Sequence, residues 1–384
     1  MKRAIVIVPT YNERENIQRV VTVLEKVFKK VSHWDMSILV VDDNSPDHTA
    51  DIVRKIQVTE KNVVLLVNQN KNGLGGAYLK GMEKAFHELH ADAVFEFDAD
   101  LSHDAEKIPD FLQKLDEGFD MVLGSRYIPG GGIPENWGLH RKFYSVIGNI
   151  IIMCVLTDFK IRDWTGGYRA ITKNVYEAVL PTLQSQRFLG YTFQIGFLYN
   201  AVQKKFKITE VPFQFVDRTH GESKMGTEYI KNILLFIFKA RIKSIVNHRV
   251  FKFVMVGGIS AMIQLITLVF WRKVFPYQVA FFVAIECAVF ANFLMNNFWT
   301  FSDRRPPLSG YPAKFIQFNL ASGGSIILQQ IIALVGKNTI GLIVLFTLPI
   351  LNFTIDTGLL YAVIGILIGM FLNFFSYTRL IWKK

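Results

Sequence analysis

The C-terminal third of the chain is the feature that most restricts its fold. Three apolar runs in it are each long enough to cross a bilayer as a helix, at about 253–271, 277–299 and 314–336. A further apolar stretch, 339–382, is interrupted by Asp356. The sequence therefore predicts an all-helical membrane domain over residues 251–384.

The placement of basic residues decides how many times this domain crosses the membrane. The stretch 339–382 holds either one span, at about 358–381, or two. With four spans, the basic residues before the first span, between the second and third, and at the chain end all lie on the cytoplasmic side. Five spans would export the basic tail. We therefore predict four, with Arg272 and Lys273 as the exception.

The preceding residues, 1–225, alternate between apolar strands and helices. Strands are predicted at 3–9, 36–42, 62–67 and 93–98, with helices at 12–29, 45–58 and 73–90. This alternation is typical of an α/β domain built on a mostly parallel, doubly wound sheet. Ligands of such sheets bind at the carboxyl ends of the strands.

Charge and cysteine content narrow the class of protein further. Residues 250–384 hold ten Lys/Arg and three Asp/Glu, which is +7 of the chain's net +11. Basic flanks of apolar runs indicate attraction to a membrane surface, and no nucleic-acid-binding motif is present, so we expect no nucleic-acid partner. Cys154 and Cys287 lie in apolar runs and form no disulfide framework or metal-ligand spacing. A multi-pass protein of the cell membrane with its catalytic domain in the cytoplasm fits these properties.

Two helical segments outside the predicted spans, 140–157 and 226–247, are apolar and basic at once. One interpretation is a pair of ordinary core-packing helices. We favour helices that lie in the membrane interface, because a membrane domain follows. The second segment then belongs to an interface linker at 226–250.

Two carboxylates end the strand at 93–98. Residues i and i+2 of an extended chain point the same way, so Asp98 and Asp100 are predicted to bind one hard cation and, with it, a nucleotide diphosphate.

Two other strand ends carry polar residues. Pro9, Tyr11 and Glu13 end the first strand, and Asp42 ends the second, where it is placed to accept from a ribose hydroxyl or a base edge. Helix capping is the alternative role for the carboxylates here. The glycine-rich turn 71–76 permits close approach of a ligand to the backbone, but it is a weak signal alone.

Taken together, these motifs resemble the family 2, GT-A fold, inverting glycosyltransferases. The resemblance rests on Val8–Glu13, Val41–Asp47, Gly73–Gly76, Asp98–His103 and Gly124–Tyr127. Further segments, Gly130–Gly132, Asn136–Trp137, Asp163–Arg169 and Arg218–Lys224, are similar to the dolichol- or polyprenyl-phosphate mannose synthases over about residues 1–225. The spans are similar to GtrA-like membrane domains, notably at Asn292–Phe301.

The resemblance implies a role for each motif. Mg²⁺ or Mn²⁺ would be held by Asp98, Asp100 and, where close relatives commonly have Gln, Ser102. The nucleotide would contact Pro9, Tyr11, Glu13, Asp42, Asp43, Gly75, Asp98 and Ala99. The acceptor phosphate would be bound by Arg126, Arg141 and Ser145, of which the two arginines act in catalysis with Asp100. Donor phosphates would meet Arg218, His220, Ser223 and Lys224, and sugar hydroxyls would meet Asp163.

The reaction implied is transfer of mannose from GDP-mannose to dolichyl or polyprenyl phosphate with inversion at the sugar. Relatives often have an acidic residue where this chain has Gly196, but a lipid phosphate needs no general base because its second pKa is about 6. Two alternatives stay open: UDP-glucose as donor, and a flippase whose spans, with Glu286 and Asn292, move the lipid-linked sugar. A homo-oligomer formed through the membrane domain is compatible with either. A processive synthase is disfavoured because no Gln-x-x-Arg-Trp motif is present.

Overall fold

The structure is a computed structural model that describes residues 1–185, 192–217, 227–305, 307–348 and 353–376. The chain divides into two compact units, Met1–Arg241 and Ile242–Lys384. The first is an α/β unit and the second is mainly helical. The division falls inside the segment predicted as an interface linker, because one helix continues from the first unit into the second.

The first unit is built on one seven-stranded sheet. Its strands are β1 (Lys2–Thr10), β2 (Trp34–Asp42), β3 (Val63–Val67), β4 (Ala93–Glu96), β5 (Met121–Ser125), β6 (Arg169–Thr172) and β7 (Ile208–Pro212). Their spatial order is β3-β2-β1-β4-β6-β5-β7. Strand β6 runs antiparallel to β4 and β5, and the other neighbours are parallel. The predicted mostly parallel α/β sheet is confirmed.

Helices pack on both faces of this sheet. They are α1 (Ile17–Phe28), α2 (Thr49–Thr59), α3 (Gly73–Glu83), α4 (Ile108–Asp116), α5 (Leu139–Leu156), α6 (Lys173–Ser185), α7 (Thr192–Gln203) and α8 (Thr227–Asn247). In β1, Ala4, Val6 and Val8 enter the core on one face. Ile5 and Ile7 enter the core on the other. Burial on both faces explains why the middle of this strand, Ala4–Val8, is a continuous apolar run.

Helix α1 begins later than the sequence predicts. The segment expected to be helical from residue 12 becomes helical only at Ile17. Asn12 has a φ of +62°, a left-handed conformation that cannot continue an α-helix. The chain between β1 and α1 therefore forms a loop at the carboxyl edge of the sheet.

The described part of the second unit contains four α-helices that begin after residue 248 and one antiparallel strand pair. They are α9 (Arg249–Trp271), α10 (Tyr277–Met295), α11 (Tyr311–Thr339), β8 (Val344–Leu348), β9 (Phe353–Asp356) and α12 (Thr357–Ser376). By length and composition, α9, α10 with the π-turn that follows it, α11 and also α5 are long enough to cross a membrane. Helix α12 has a shorter apolar segment, Thr357–Met370.

Within its described residues, the stretch that left the number of spans open contains two antiparallel strands, β8 and β9, followed by helix α12. Arg272, the predicted exception to the charge rule, follows α9 and lies 2.7 Å from Asp356, the residue that interrupts the apolar stretch.

Polar side chains inside the second unit pair with one another. The Gln264 amide donates to Gln329 at 2.9 Å, and Asn319 donates to Glu286 at 2.6 Å. Each contact joins two helices: α9 with α11, and α10 with α11. Such pairing satisfies groups that would otherwise be costly within an apolar environment.

Candidate active site

The two carboxylates that the sequence singles out lie in one turn after β4. Asp98 Oδ1 accepts a hydrogen bond from the Tyr78 hydroxyl at 2.9 Å, and the Asp98 amide donates to His103 Nδ1 at 3.1 Å. Asp100 Oδ1 accepts from the Ser102 amide at 3.0 Å. His103 stacks on Tyr168 with ring centroids 4.9 Å apart. The turn is thus fixed by contacts on both sides of the acidic pair.

These residues fit a divalent cation of the magnesium type. Such ions are commonly bound by one or two carboxylates, with water and substrate phosphates completing the coordination. Ser102 Oγ is buried without a hydrogen-bond partner among the described residues, so a hard oxygen is available beside the acidic pair. No cluster of three His, Cys, Asp or Glu side chains suited to holding an ion occurs in the described ranges.

A fully buried polar layer lies beneath this turn. Glu96 is two residues before Asp98 in the chain, and its carboxylate lies 3.9 Å from the Arg169 guanidinium. Burial raises the pKa of Glu96 to about 7, against the opposing charge of Arg169. The nearby Gln194 amide also lowers this pKa, but it makes no hydrogen bond of good geometry. None of these three residues was predicted from sequence to act in the site, although an acidic residue within an apolar strand was a usable signal.

The end of β2 does not present its carboxylates to a ligand. Asp42 is 1% exposed and accepts from the Thr10 hydroxyl and from both the amide and hydroxyl of Ser45. Asp43 is 4% exposed and accepts from the Asn68 side chain and from two backbone amides of the glycine-rich turn. In this arrangement Asp42 bonds to the chain itself, and its contact with the nucleotide stays a prediction. Both carboxylates shape the loops around the strand ends.

The remaining predicted nucleotide residues lie around the same strand ends. The Lys71 ammonium lies over the Tyr11 ring, 3.5 Å from its centroid. Glu13 accepts a hydrogen bond from the Asn16 side chain at 2.8 Å. Pro9 is in register with Val41 on the neighbouring strand, and Ala99 is buried.

Gly75 has a packing role. A Cβ at Gly75 would lie 2.9 Å from the Phe193 side chain, so this glycine permits α3 to pack closely against α7.

Arg126 and Asp163 form a buried, two-pronged ion pair. The Arg126 Nε and Nη2 atoms lie 2.7 and 2.8 Å from the two carboxylate oxygens. Burial alone would raise the pKa of Asp163, but the Arg126 charge and hydrogen bonds outweigh it and hold this pKa below its usual value. The Asp163 side chain has no exposed surface. The structure therefore does not place Asp163 to contact sugar hydroxyls, and it orients Arg126 instead.

Aromatic rings connect Arg126 to the other predicted phosphate ligands. Phe215 lies 5.7 Å from the Arg126 guanidinium, measured to the ring centroid, and packs edge-on against Trp137. The Arg141 guanidinium in turn stacks over the Trp137 ring, 3.8 Å from its centroid. Arg141 also pairs with Asp217 at 3.2 Å. The two arginines thus flank one aromatic cluster.

Helix α5 supplies Arg141 and Ser145 from one row of its surface. The Ser145 hydroxyl hydrogen-bonds the Tyr127 hydroxyl, and Asn149, one turn further along, donates to Thr165 at 3.0 Å. A second row of α5, at helical spacing, is apolar and exposed: Leu139 at 86%, Phe143 at 59%, Val146 at 37% and Ile150 at 41%. The predicted acceptor-binding row thus runs beside an exposed apolar row.

The four residues predicted to meet the donor phosphates, Arg218, His220, Ser223 and Lys224, lie outside the described residues.

Comparison with known proteins agrees with this two-part organisation. Residues 5–180 match the family described as Glycosyl transferase family 2, and residues 252–382 match GtrA/DPMS, transmembrane domain. A dolichol-phosphate mannosyltransferase of Pyrococcus furiosus is 32% identical over 78% of this chain and 81% of its own length. A polyprenol monophosphomannose synthase of Mycolicibacterium smegmatis is 36% identical over 61% of this chain and 84% of its own.

Among solved structures, mannosyl-3-phosphoglycerate synthase from Rubrobacter xylanophilus is similar at 16% identity with a TM-score of 0.46. The matched region covers 63% of this chain and 75% of the chain of that synthase.

Proposed function

Because the chain belongs to glycosyltransferase family 2 and carries a GtrA/DPMS transmembrane domain, we propose that it transfers mannose from GDP-mannose to dolichyl or polyprenyl phosphate. The observation that carries the choice of acceptor is the surface of α5, where Arg141 and Ser145 adjoin an exposed apolar row. An amphipathic lipid with a phosphate head matches both rows at once.

The proposed reaction forms one bond at the anomeric carbon of mannose and breaks another. An oxygen of the acceptor phosphate attacks the anomeric carbon, and the bond from that carbon to the GDP oxygen breaks on the opposite face. The product is a β-linked lipid phosphomannose, and GDP is released. A lipid phosphate carries its second charge at neutral pH, since its pKa is about 6, so the absence of an acidic side chain at Gly196 costs nothing.

The chain's residues position the reactants. Asp98 and Asp100 would hold Mg²⁺ or Mn²⁺, which when bound would neutralise charge on the departing diphosphate. Arg126, oriented by Asp163, and Arg141, stacked on Trp137, would fix the acceptor phosphate. Guanidinium groups suit this task because their planar donors match phosphate oxygens. A fixed head group reduces the entropic cost of reaching the transition state.

The membrane location follows from the second unit, which makes this a multi-pass membrane protein. We place the catalytic unit on the cytoplasmic side, because the basic residues before α9 and between α10 and α11 lie on that side in a four-span arrangement. Water-soluble GDP-mannose would then reach the site from the cytoplasm while the lipid remains in the bilayer.

The test uses the full-length protein in lipid nanodiscs with radiolabelled GDP-mannose, polyprenyl phosphate and Mn²⁺. We expect label in the chloroform phase, and unlabelled UDP-glucose should not compete. Asp100→Ala should abolish transfer, whereas Asp110→Ala, at an exposed carboxylate of α4, should not. Absence of lipid-soluble label with wild-type protein would reject the proposal. Competition by UDP-glucose would favour UDP-glucose, the alternative donor, over GDP-mannose.

A further inference from the structure

Leu101 has a backbone conformation that is unusual for its side chain. Its φ is +61°, in the left-handed region. In that region the Cβ of an L-residue approaches the following carbonyl oxygen, so glycine and asparagine occupy it far more readily than leucine. The other positive-φ residues of the described chain, glycine aside, are Asn12, Asn44, His48 and His90, whose types tolerate this region, and Thr157 and Lys205, which follow helices α5 and α7. Leu101 lies between the predicted cation ligands Asp100 and Ser102.

Contacts on both sides hold Leu101 in this conformation. Its side chain packs against the core on one face of the sheet. The Ser102 carbonyl accepts from the Val216 amide at 3.4 Å. Before the turn, the Asp98 amide donates to His103 Nδ1. Strained backbone persists only where the surroundings determine it in this way, and such positions concentrate at functional sites.

The reversal at Leu101 has a direct consequence for Asp100. It brings the Ser102 amide back towards Asp100. The amide then donates a 3.0 Å hydrogen bond to Asp100 Oδ1. This bond fixes the Asp100 carboxylate before any ligand arrives. A ligand group that is already oriented loses less entropy when it binds.

We propose that Leu101 is a positioning residue for the reaction: its left-handed backbone holds the Asp100 carboxylate in the orientation that binds the divalent cation. This inference rests on the proposed function only through the cation site. It is independent of which sugar or lipid the enzyme uses. The leucine side chain acts as an anchor in the core that keeps the backbone turned.

The proposal predicts an unusual order of tolerance to substitution. If Leu101 only filled space, its isomer isoleucine would be the best replacement and asparagine a poor one. If the backbone conformation matters, isoleucine is the worst, because β-branched residues are the least compatible with positive φ. Asparagine and glycine adopt the left-handed region readily and should keep Asp100 oriented.

Direct cation binding by the full-length protein in detergent tests this order. Free Mn²⁺ is measured by electron paramagnetic resonance without donor or acceptor, and the unfolding temperature of each variant is recorded. We expect Leu101→Asn and Leu101→Gly to bind Mn²⁺ within about threefold of wild type, and Leu101→Ile to bind about tenfold more weakly. Leu79→Ile is the matched control, at a partly buried leucine in helix α3.

A second comparison keeps the test valid if Leu101→Ile does not fold. Leu101→Ala and Leu101→Gly lose the same anchor and differ by one methyl group, and only alanine retains the penalty for positive φ. The glycine variant should therefore bind Mn²⁺ more tightly.

Each outcome decides a separate question. Three results would overturn the role of Leu101 while leaving the proposed function intact. They are tighter Mn²⁺ binding by the isoleucine variant than by the asparagine and glycine variants, tighter binding by the alanine variant than by the glycine variant, and equal binding by all variants. Wild-type protein that binds no Mn²⁺ would overturn the cation site and this role with it.

Discussion

Replacing Asp163 with asparagine would remove the anionic half of the buried ion pair with Arg126. The carboxylate accepts from Nε and Nη2 of Arg126, from the Arg126 amide at 3.1 Å and from the Gly166 amide at 3.0 Å. Asparagine has nearly the same shape, but its NH₂ group would face donors of the guanidinium. The substitution therefore tests charge and hydrogen bonding with little change in volume.

The expected loss of stability is large because both side chains of the ion pair are almost completely removed from water. The side chain of Arg126 is 10% exposed and that of Asp163 is 0% exposed. Removing one partner of such a pair costs about 3–5 kcal/mol. For a unit of this size, about 1 kcal/mol corresponds to about 2–4 °C in the unfolding midpoint, so we expect a fall of about 6–20 °C.

The pH dependence of this effect has a definite sign. The pKa of Asp163 is lowered in the folded state, because the Arg126 charge and the hydrogen bonds outweigh the effect of burial. A lowered folded-state pKa stabilises the fold above the unfolded-state value of about 3.9, and the contribution is lost as the pH falls through the folded-state pKa. The difference between wild type and Asp163→Asn should thus be full at pH 7 and shrink below about pH 4.

Thermal unfolding of the full-length protein in detergent, followed by tryptophan fluorescence, provides the measurement. Asp51→Asn is the matched control, because that carboxylate is 53% exposed and pairs with Arg54 on the surface. Surface pairs contribute at most about 1 kcal/mol. If Asp163→Asn unfolds at the same temperature as the control, the ion pair does not hold this part of the fold, and the role given to Asp163 is wrong.

Three further predictions concern other parts of the chain. Gly131→Ala places a Cβ 2.4 Å from a backbone oxygen and should destabilise the loop beside Arg126, detected as a lower unfolding temperature; Gly148→Ala, with nothing within 4 Å, should not. Phe143→Lys removes an exposed apolar side chain from α5 and should lower kcat/KM about tenfold for long polyprenyl phosphates in vesicles, but not for a short soluble analogue. Asp356→Asn leaves Arg272 without its partner and should lower the unfolding temperature of the second unit.

Local sequence signals were sufficient for the first four strands of the sheet, β1 to β4, whereas β5, β6 and β7 were not predicted. Apolar strands followed by helices predict the sheet, because a strand buried on both faces must be apolar throughout. They also place the acidic pair at a strand end, where β4 and its turn carry it. The start of α1 was missed, because a left-handed Asn12 leaves no clear trace in composition.

The roles of individual site residues were harder to predict from sequence. Asp42 and Asp163 have the charge expected of ligand-binding residues, yet both are buried and bonded to the chain itself. Whether a carboxylate meets a ligand or an internal donor depends on partners far away in the chain, such as Arg126 for Asp163. Sequence spacing carries no information about such distant partners.

The sequence by itself determined the strands β1 to β4, the long apolar helices and the place where oxygen ligands gather, because periodicity and composition report burial along the local chain. Only the tertiary structure decided that Asp163 orients Arg126, that Asp356 pairs with Arg272, and that Leu101 turns the backbone between two predicted cation ligands. Each of these depends on contacts between residues distant in sequence or on a backbone angle imposed by packing. The free energy of such contacts is set by the three-dimensional surroundings, and the residue types alone do not specify them.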